Sequence, residues 1–94
     1  MESERTRLQV GEGWIGVEVR SEPRVVQTVR GYAPYLEVVE IGTGLDYDWL
    51  IGAKSISDAL EPKRTSNGGS FVGLRLNVRR ASKDRMAPYE IEQL

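Results

Sequence analysis

From Val72 to Val78 every second residue is apolar: Val72, Leu74, Leu76 and Val78. Side chains of an extended strand alternate between two faces, so these four are expected to share a core-facing side. Phe71, Gly73, Arg75, Asn77 and Arg79 then share the opposite side. That side combines an aromatic ring, a glycine that bares backbone, and cations at alternate positions. The period of two commits this part of the chain to a sheet with one buried face. Its other face suits a polyanion carrying flat bases better than it suits plain water. Nothing in the segment forces a covalent reaction, so the functional expectation is binding.

Ninety-four residues give one small domain with a single core. The chain has no cysteine, which excludes a disulfide framework and thiolate metal sites, and no histidine, the usual general base and commonest metal ligand. The chain is therefore expected not to be an enzyme; a carboxylate-based enzyme is the weakest of the alternatives. No catalytic residue, metal ligand or cofactor is assigned. The longest apolar run, Trp49 to Ala53, is too short to cross a bilayer. The charged stretch Met1–Arg7 is not followed by a hydrophobic one and does not read as a signal peptide. A cytoplasmic location without membrane contact is the resulting expectation. A charged fraction of 29% suits a thermophile.

The net charge of −1 argues against a polyanion partner, but its distribution does not. Residues 37–61 carry Glu37, Glu40, Asp46, Asp48, Asp58 and Glu61 against Lys54 alone, a net of −5. Residues 62–85 carry Lys63, Arg64, Arg75, Arg79, Arg80, Lys83 and Arg85 against Asp84, a net of +6. Such asymmetry predicts either a basic face for an anionic partner or two segments that neutralise each other across the fold.

Along the chain, residues 1–10 read as a polar tail and residues 11–94 as one domain. Trp14 to Arg30 reads as strand, interrupted at Ser21-Glu22-Pro23 because proline cannot donate to a ladder. A single strand bent at Pro23, or a hairpin, accounts for it. Further strands are expected at Tyr35–Ile41, Asp46–Ile51, Phe71–Arg80 and Pro88–Leu94. Ser55–Glu61 reads as a short helix, with Ser55 and Asp58 resembling a capping box and Pro62 as its stop. The expected fold is thus mainly β, a small five-stranded barrel with one short helix between strands three and four.

This order of elements resembles that of OB-fold single-stranded nucleic-acid-binding proteins of the archaeal and eukaryotic replication type. The resemblance covers Trp14 to Leu94 and rests on element order and alternation. It implies a cleft formed by strands two and three with the loops joining strands one–two and four–five, and single-stranded DNA or RNA as partner. A shorter likeness, Asp46-Tyr47-Asp48 followed by Gly68-Gly69, is to the small OB-type subunit of RNA polymerase. It implies the alternative of a protein-interaction or assembly subunit, with a protein partner or a homo-oligomer.

Carried onto this chain, the resemblance places Tyr32 and Tyr35 at the first loop, Trp49 or Tyr47 on strand three, and Lys83 and Arg85 in the last loop. Phe71, Arg75, Arg79 and Arg80 add an aromatic and the tightest run of cations. Each has a plainer reading. Trp49 sits in the most apolar run, where core packing competes with stacking. Phe71 is exposed unless the helix covers it. Tyr32 and Tyr35 flank Pro34 and can clamp a turn, and Arg75 and Arg79 can protect a sheet edge. Trp14 is expected to cap the end of the core. Gly11-x-Gly13-x-x-Gly16 spells a dinucleotide fingerprint, but it precedes a β-branched strand instead of opening a helix, so the reason for the motif is absent.

Overall fold

The computed structural model describes residues 6–29, 31–84 and 87–94. Seven strands and one helix run in the order β1 (Thr6–Arg7), β2 (Ile15–Val19), β3 (Arg24–Thr28), β4 (Gly31–Glu40), β5 (Asp46–Leu50), α1 (Lys54–Ser66), β6 (Arg75–Arg80) and β7 (Tyr89–Gln93). The sheet order is β1-β5-β4-β2-β6-β7, with β3 also on β4. The mainly β expectation holds; the closed five-stranded barrel does not. β5 and β7 do not pair. The free side of β5 is taken instead by β1, in parallel, with Leu8 N donating to Asp48 O at 2.9 Å. Part of the segment expected to be a tail therefore belongs to the sheet.

The bend at Pro23 accounts for the sixth and seventh strand segments together with β1. β2 pairs with β4 up to Val19↔Val38, and β3 resumes at Arg24↔Tyr35. Four residues, Arg20 to Pro23, thus face only Leu36 and Glu37, a bulge that bends the strand. Ser21 holds the bulge in place. Its hydroxyl is buried, accepts from Glu37 N at 3.0 Å and donates to Glu22 O at 3.0 Å. β2 also pairs with β6 on its other side, and β6 turns back into β7.

The core contains Val17, Val19, Leu36, Val38, Trp49, Leu76 and Val78 from the strands, with Ile56 and Leu60 from one stripe of α1. Leu8, Val10 and Ile91 pack against it at the gap between β5 and β7. The helix differs from its expected form at both ends. Ala53 occupies the N-cap with no side-chain hydrogen bond, and Ser55 Oγ instead accepts from Tyr89 N at 3.2 Å, tying α1 to β7. Pro62 lies inside the helix rather than ending it. A proline removes one donor, here the one that would reach the Asp58 carbonyl, and both residues face water. Asn67, Gly68 and Gly69 end the helix, the glycines with φ of +72° and +83°.

The alternation that starts at Val72 in the sequence begins at Leu74 in the fold. Asn67 Nδ2 donates to Ser70 O and Val72 O at 2.8 and 3.0 Å, and Gly73 takes φ of +92°, so Val72 is in a turn and 47% exposed. β6 accordingly starts at Arg75, not Phe71. Among the described residues no helix is long and apolar enough to cross a membrane.

Candidate nucleic-acid interface

Registers decide where the charges go. Leu36, Val38 and Trp49 face the core, so Glu18, Glu37, Asp46, Asp48, Arg75, Asn77, Arg79, Glu90 and Glu92 share the outer face of the sheet. The acidic and basic segments of the sequence meet there. Arg79 Nε lies 2.7 Å from Glu90 Oε1, and Arg75 Nε lies 3.7 Å from Glu18 Oε1. Arg20 reaches Glu18 at 3.4 Å and Arg24 reaches Glu37 at 3.1 Å. Arg79 also covers the Trp14 ring at 4.4 Å, which leaves Trp14 41% exposed on the outer face and not in the core. The face that the resemblance makes a binding cleft is an acid-rich surface on which Arg20, Arg24, Arg75 and Arg79 each stand beside a carboxylate.

A second surface lies at the gap between β5 and β7. A depression of about 510 Å³ is lined by Arg7, Thr28, Val29, Tyr32, Leu50 and Tyr89, by Gly52 and Ala53 just before α1 and by Ile56 within it, with no carboxylate among its lining residues. Arg7, Leu50 and Tyr89 also line a second depression of about 230 Å³, which Leu8 and Val10 continue. Val10 then links to a third of about 390 Å³, lined by Gly11, Glu12, Arg80, Ser82 and Lys83. Successive depressions share lining residues, and this series, the trough, has Tyr32 in its first member, Arg7 in its first two, Lys83 in its last and a single carboxylate, Glu12, among its lining residues.

Arg80 lies in the trough because it follows Arg79 in a strand and so points to the opposite side. Its guanidinium donates to Tyr89 Oη at 2.6 Å and covers that ring at 4.5 Å. Arg7 and Lys83 make no ion pair among the described residues. Tyr32, 76% exposed, offers a free ring.

The expected site residues therefore separate. Arg80 and Lys83 line the third depression and Tyr32 the first, with the second between them. Tyr35, Arg75 and Arg79 lie on the outer face. Trp49 is 2% exposed, a core residue that reaches only the floor of the second depression and offers no stacking face. Its Nε1 has no partner among the described residues, a loose end for a buried donor. Phe71 is half-buried against the core, with the Arg64 guanidinium 5.9 Å over its ring, so it is not an open platform either. Arg85 lies outside the described residues. Arg7 and Tyr89 were not anticipated. Tyr89 alternates with Glu90 in a short strand and reads as core, while Arg7 sits in a segment without periodicity.

Nearby, the Glu22 carboxylate accepts from Ser70 Oγ and Phe71 N, and these bonds hold its pKa below the usual carboxylate range. They pin the loop that leads into β6. Among the described residues no three potential metal ligands gather. Comparison with known protein families, with curated proteins and with solved structures finds no match to this chain.

Proposed function

We propose that this chain is a non-catalytic module that binds single-stranded DNA or RNA along the trough at the open seam. The observation that carries the reading is the first depression, where Arg7, Tyr32 and Tyr89 converge without a carboxylate. A single strand presents a π-face at every base and a negative charge at every linkage, and proteins that hold it combine aromatic platforms with a cationic track. Tyr32 serves as the stacking platform; Arg7, Arg80 and Lys83 follow the phosphates, with Tyr89, half-buried beneath Arg80, orienting that guanidinium.

The strand connections support an OB-type architecture opened at one seam. A bent first strand (β2 and β3) pairs with the second (β4) and the fourth (β6). The helix stands between the third (β5) and fourth, and the last two form a hairpin. Parallel pairing of the third strand with the fifth would close such a barrel, and here β1 takes that place.

The test is a titration of end-labelled oligothymidylate and oligouridylate followed by fluorescence anisotropy at several salt concentrations. Binding that weakens by about 0.7 log units per phosphate contact for each tenfold rise in salt is the expected result. No anisotropy change at low salt with protein in large excess would end the proposal.

A further inference from the structure

β3 is an edge strand of unusual composition. β4 spends the backbone groups of Pro34 and Glu40 on the β5 side, with Ile51 N donating to Pro34 O and Glu40 N to Leu45 O. Alternation then turns the odd-numbered residues of β4 toward β2 and β3, in line with the bonds Arg20 N to Glu37 O and Ile41 N to Gly16 O. In the β3–β4 register Arg24, Val26 and Thr28 sit opposite Tyr35, Ala33 and Gly31. These three spend their backbone groups on β4. The N–H and C=O of Val25 and Gln27 point away, to an edge with which no strand of the described residues pairs.

Natural edges are usually blunted by charge, proline or cover. β7 obeys the rule, with Glu90 and Glu92 on its strand and α1 beside it. β1 is two residues long. Val25-Val26-Gln27-Thr28-Val29 has no charge and no proline and is rich in β-branched residues. Val25 is 66% exposed and Val29 fully so. On the same face of the hairpin, Tyr32 lies opposite Gln27 and Pro34 opposite Val25, all uncharged.

We infer that this edge pairs with the same edge of a second copy, antiparallel and centred on Val26, to give a twofold dimer. In that register Val25 and Gln27 of one copy exchange both backbone bonds with Gln27 and Val25 of the other. Arg24 falls opposite Thr28, so no like charges meet. The same strand built from β7 would set Glu90 and Glu92 against their own copies, and an edge carrying charge would leave the valines facing it. A twofold axis through an uncharged edge needs nothing else from its partner, which is why the occupant is this chain itself. Thr28, Val29 and Tyr32 border both this edge and the trough, with Arg7 beside them, but the inference does not rest on nucleic-acid binding and is tested without oligonucleotide.

Sedimentation equilibrium of the full chain is expected to show the weight-average mass rising with concentration from 10.6 kDa toward twice that value. Gln27→Pro removes one outward N–H at a position that donates to no neighbour, a site where an edge strand tolerates proline. It should leave the protein monomeric with its thermal unfolding retained. Val25→Lys places a charge on the exposed edge without touching the backbone and should weaken association at least about tenfold if folding suffers in the proline variant.

Val26→Cys supplies the register. Non-hydrogen-bonded antiparallel partners have Cα atoms about 4.5 Å apart, within disulfide reach. Because the chain has no cysteine, oxidation should give a single crosslinked dimer, whereas Ser66→Cys on the helix should not. A mass that stays at the monomer value across the concentration range overturns the inference. So does a dimer unaffected by Val25→Lys, and so does one that Val26→Cys fails to crosslink in preference to Ser66→Cys.

Discussion

The outer face of the sheet and the trough at its seam carry the same kinds of side chain with opposite consequences. On the outer face four arginines each stand 2.7 to 3.7 Å from a carboxylate. In the trough Arg7 and Lys83 make no ion pair among the described residues, and Arg80 packs on a tyrosine. Exposed ion pairs of the first kind are worth about 0–1 kcal/mol, and they leave little field to attract a polyanion. A run of cations in sequence is therefore not a patch on the surface. Strand register and the parity of each position decide which surface a charge reaches, and Arg79 and Arg80, adjacent in the chain, point to opposite sides of the sheet.

The largest effect that can break this contrast lies at Tyr32. Its ring is mostly exposed, so Tyr32→Ala should leave thermal unfolding unchanged while removing one stacking platform. Stacking is worth about 1–3 kcal/mol per base, so affinity for an oligonucleotide should fall by about 5- to 150-fold in the anisotropy titration. A loss below twofold would show that bases do not use this ring.

The cations give a smaller and more diagnostic effect. Arg7→Ala should weaken binding several-fold and lower the salt slope by about 0.7, one phosphate's worth on a single strand. Arg75→Ala, which removes a cation already paired with Glu18, should change neither. Should Arg75→Ala cost as much affinity as Arg7→Ala, the outer face takes part in binding and the distinction between the two surfaces fails.

Much of the fold was legible from local pattern. The break at Ser21-Glu22-Pro23 marks the bulge, and the alternation of Leu74, Leu76 and Val78 marks the strand that closes one side of the core. What local pattern could not supply was pairing. Nothing in Thr6-Arg7 signals a strand, because two residues hold no period and the bond from Leu8 to Asp48 O comes from distant chain. Pro62 reads as a stop because its cost is local, whereas Ile56 and Leu60 hold the helix through the core. Residue type singles out Tyr32, Arg80 and Lys83, which line the trough, and equally Trp49, which lies in the core, and Arg79, which lies on the outer face beside Glu90: side-chain chemistry says what a residue can do, and register says which surface it reaches.

The smallest expected effect concerns Glu22, a carboxylate outside both surfaces that is held by hydrogen bonds rather than chiefly by a cation. Bonds from Ser70 Oγ and Phe71 N lower its pKa in the folded state, so its contribution is present above the unfolded-state pKa and is lost as pH falls through the folded value. On acidification the loop from Asn67 to Gly73 should loosen before the core does, seen as faster exchange of the Phe71 amide at pH values where core amides remain protected. Glu22→Gln should remove that acid dependence, with the loop already loosened at neutral pH, while leaving oligonucleotide affinity unchanged, because neither Glu22 nor its partners line the trough. A variant that loosens the loop and weakens binding together would tie the approach to β6 to the seam, and the two regions would then have to be treated as one.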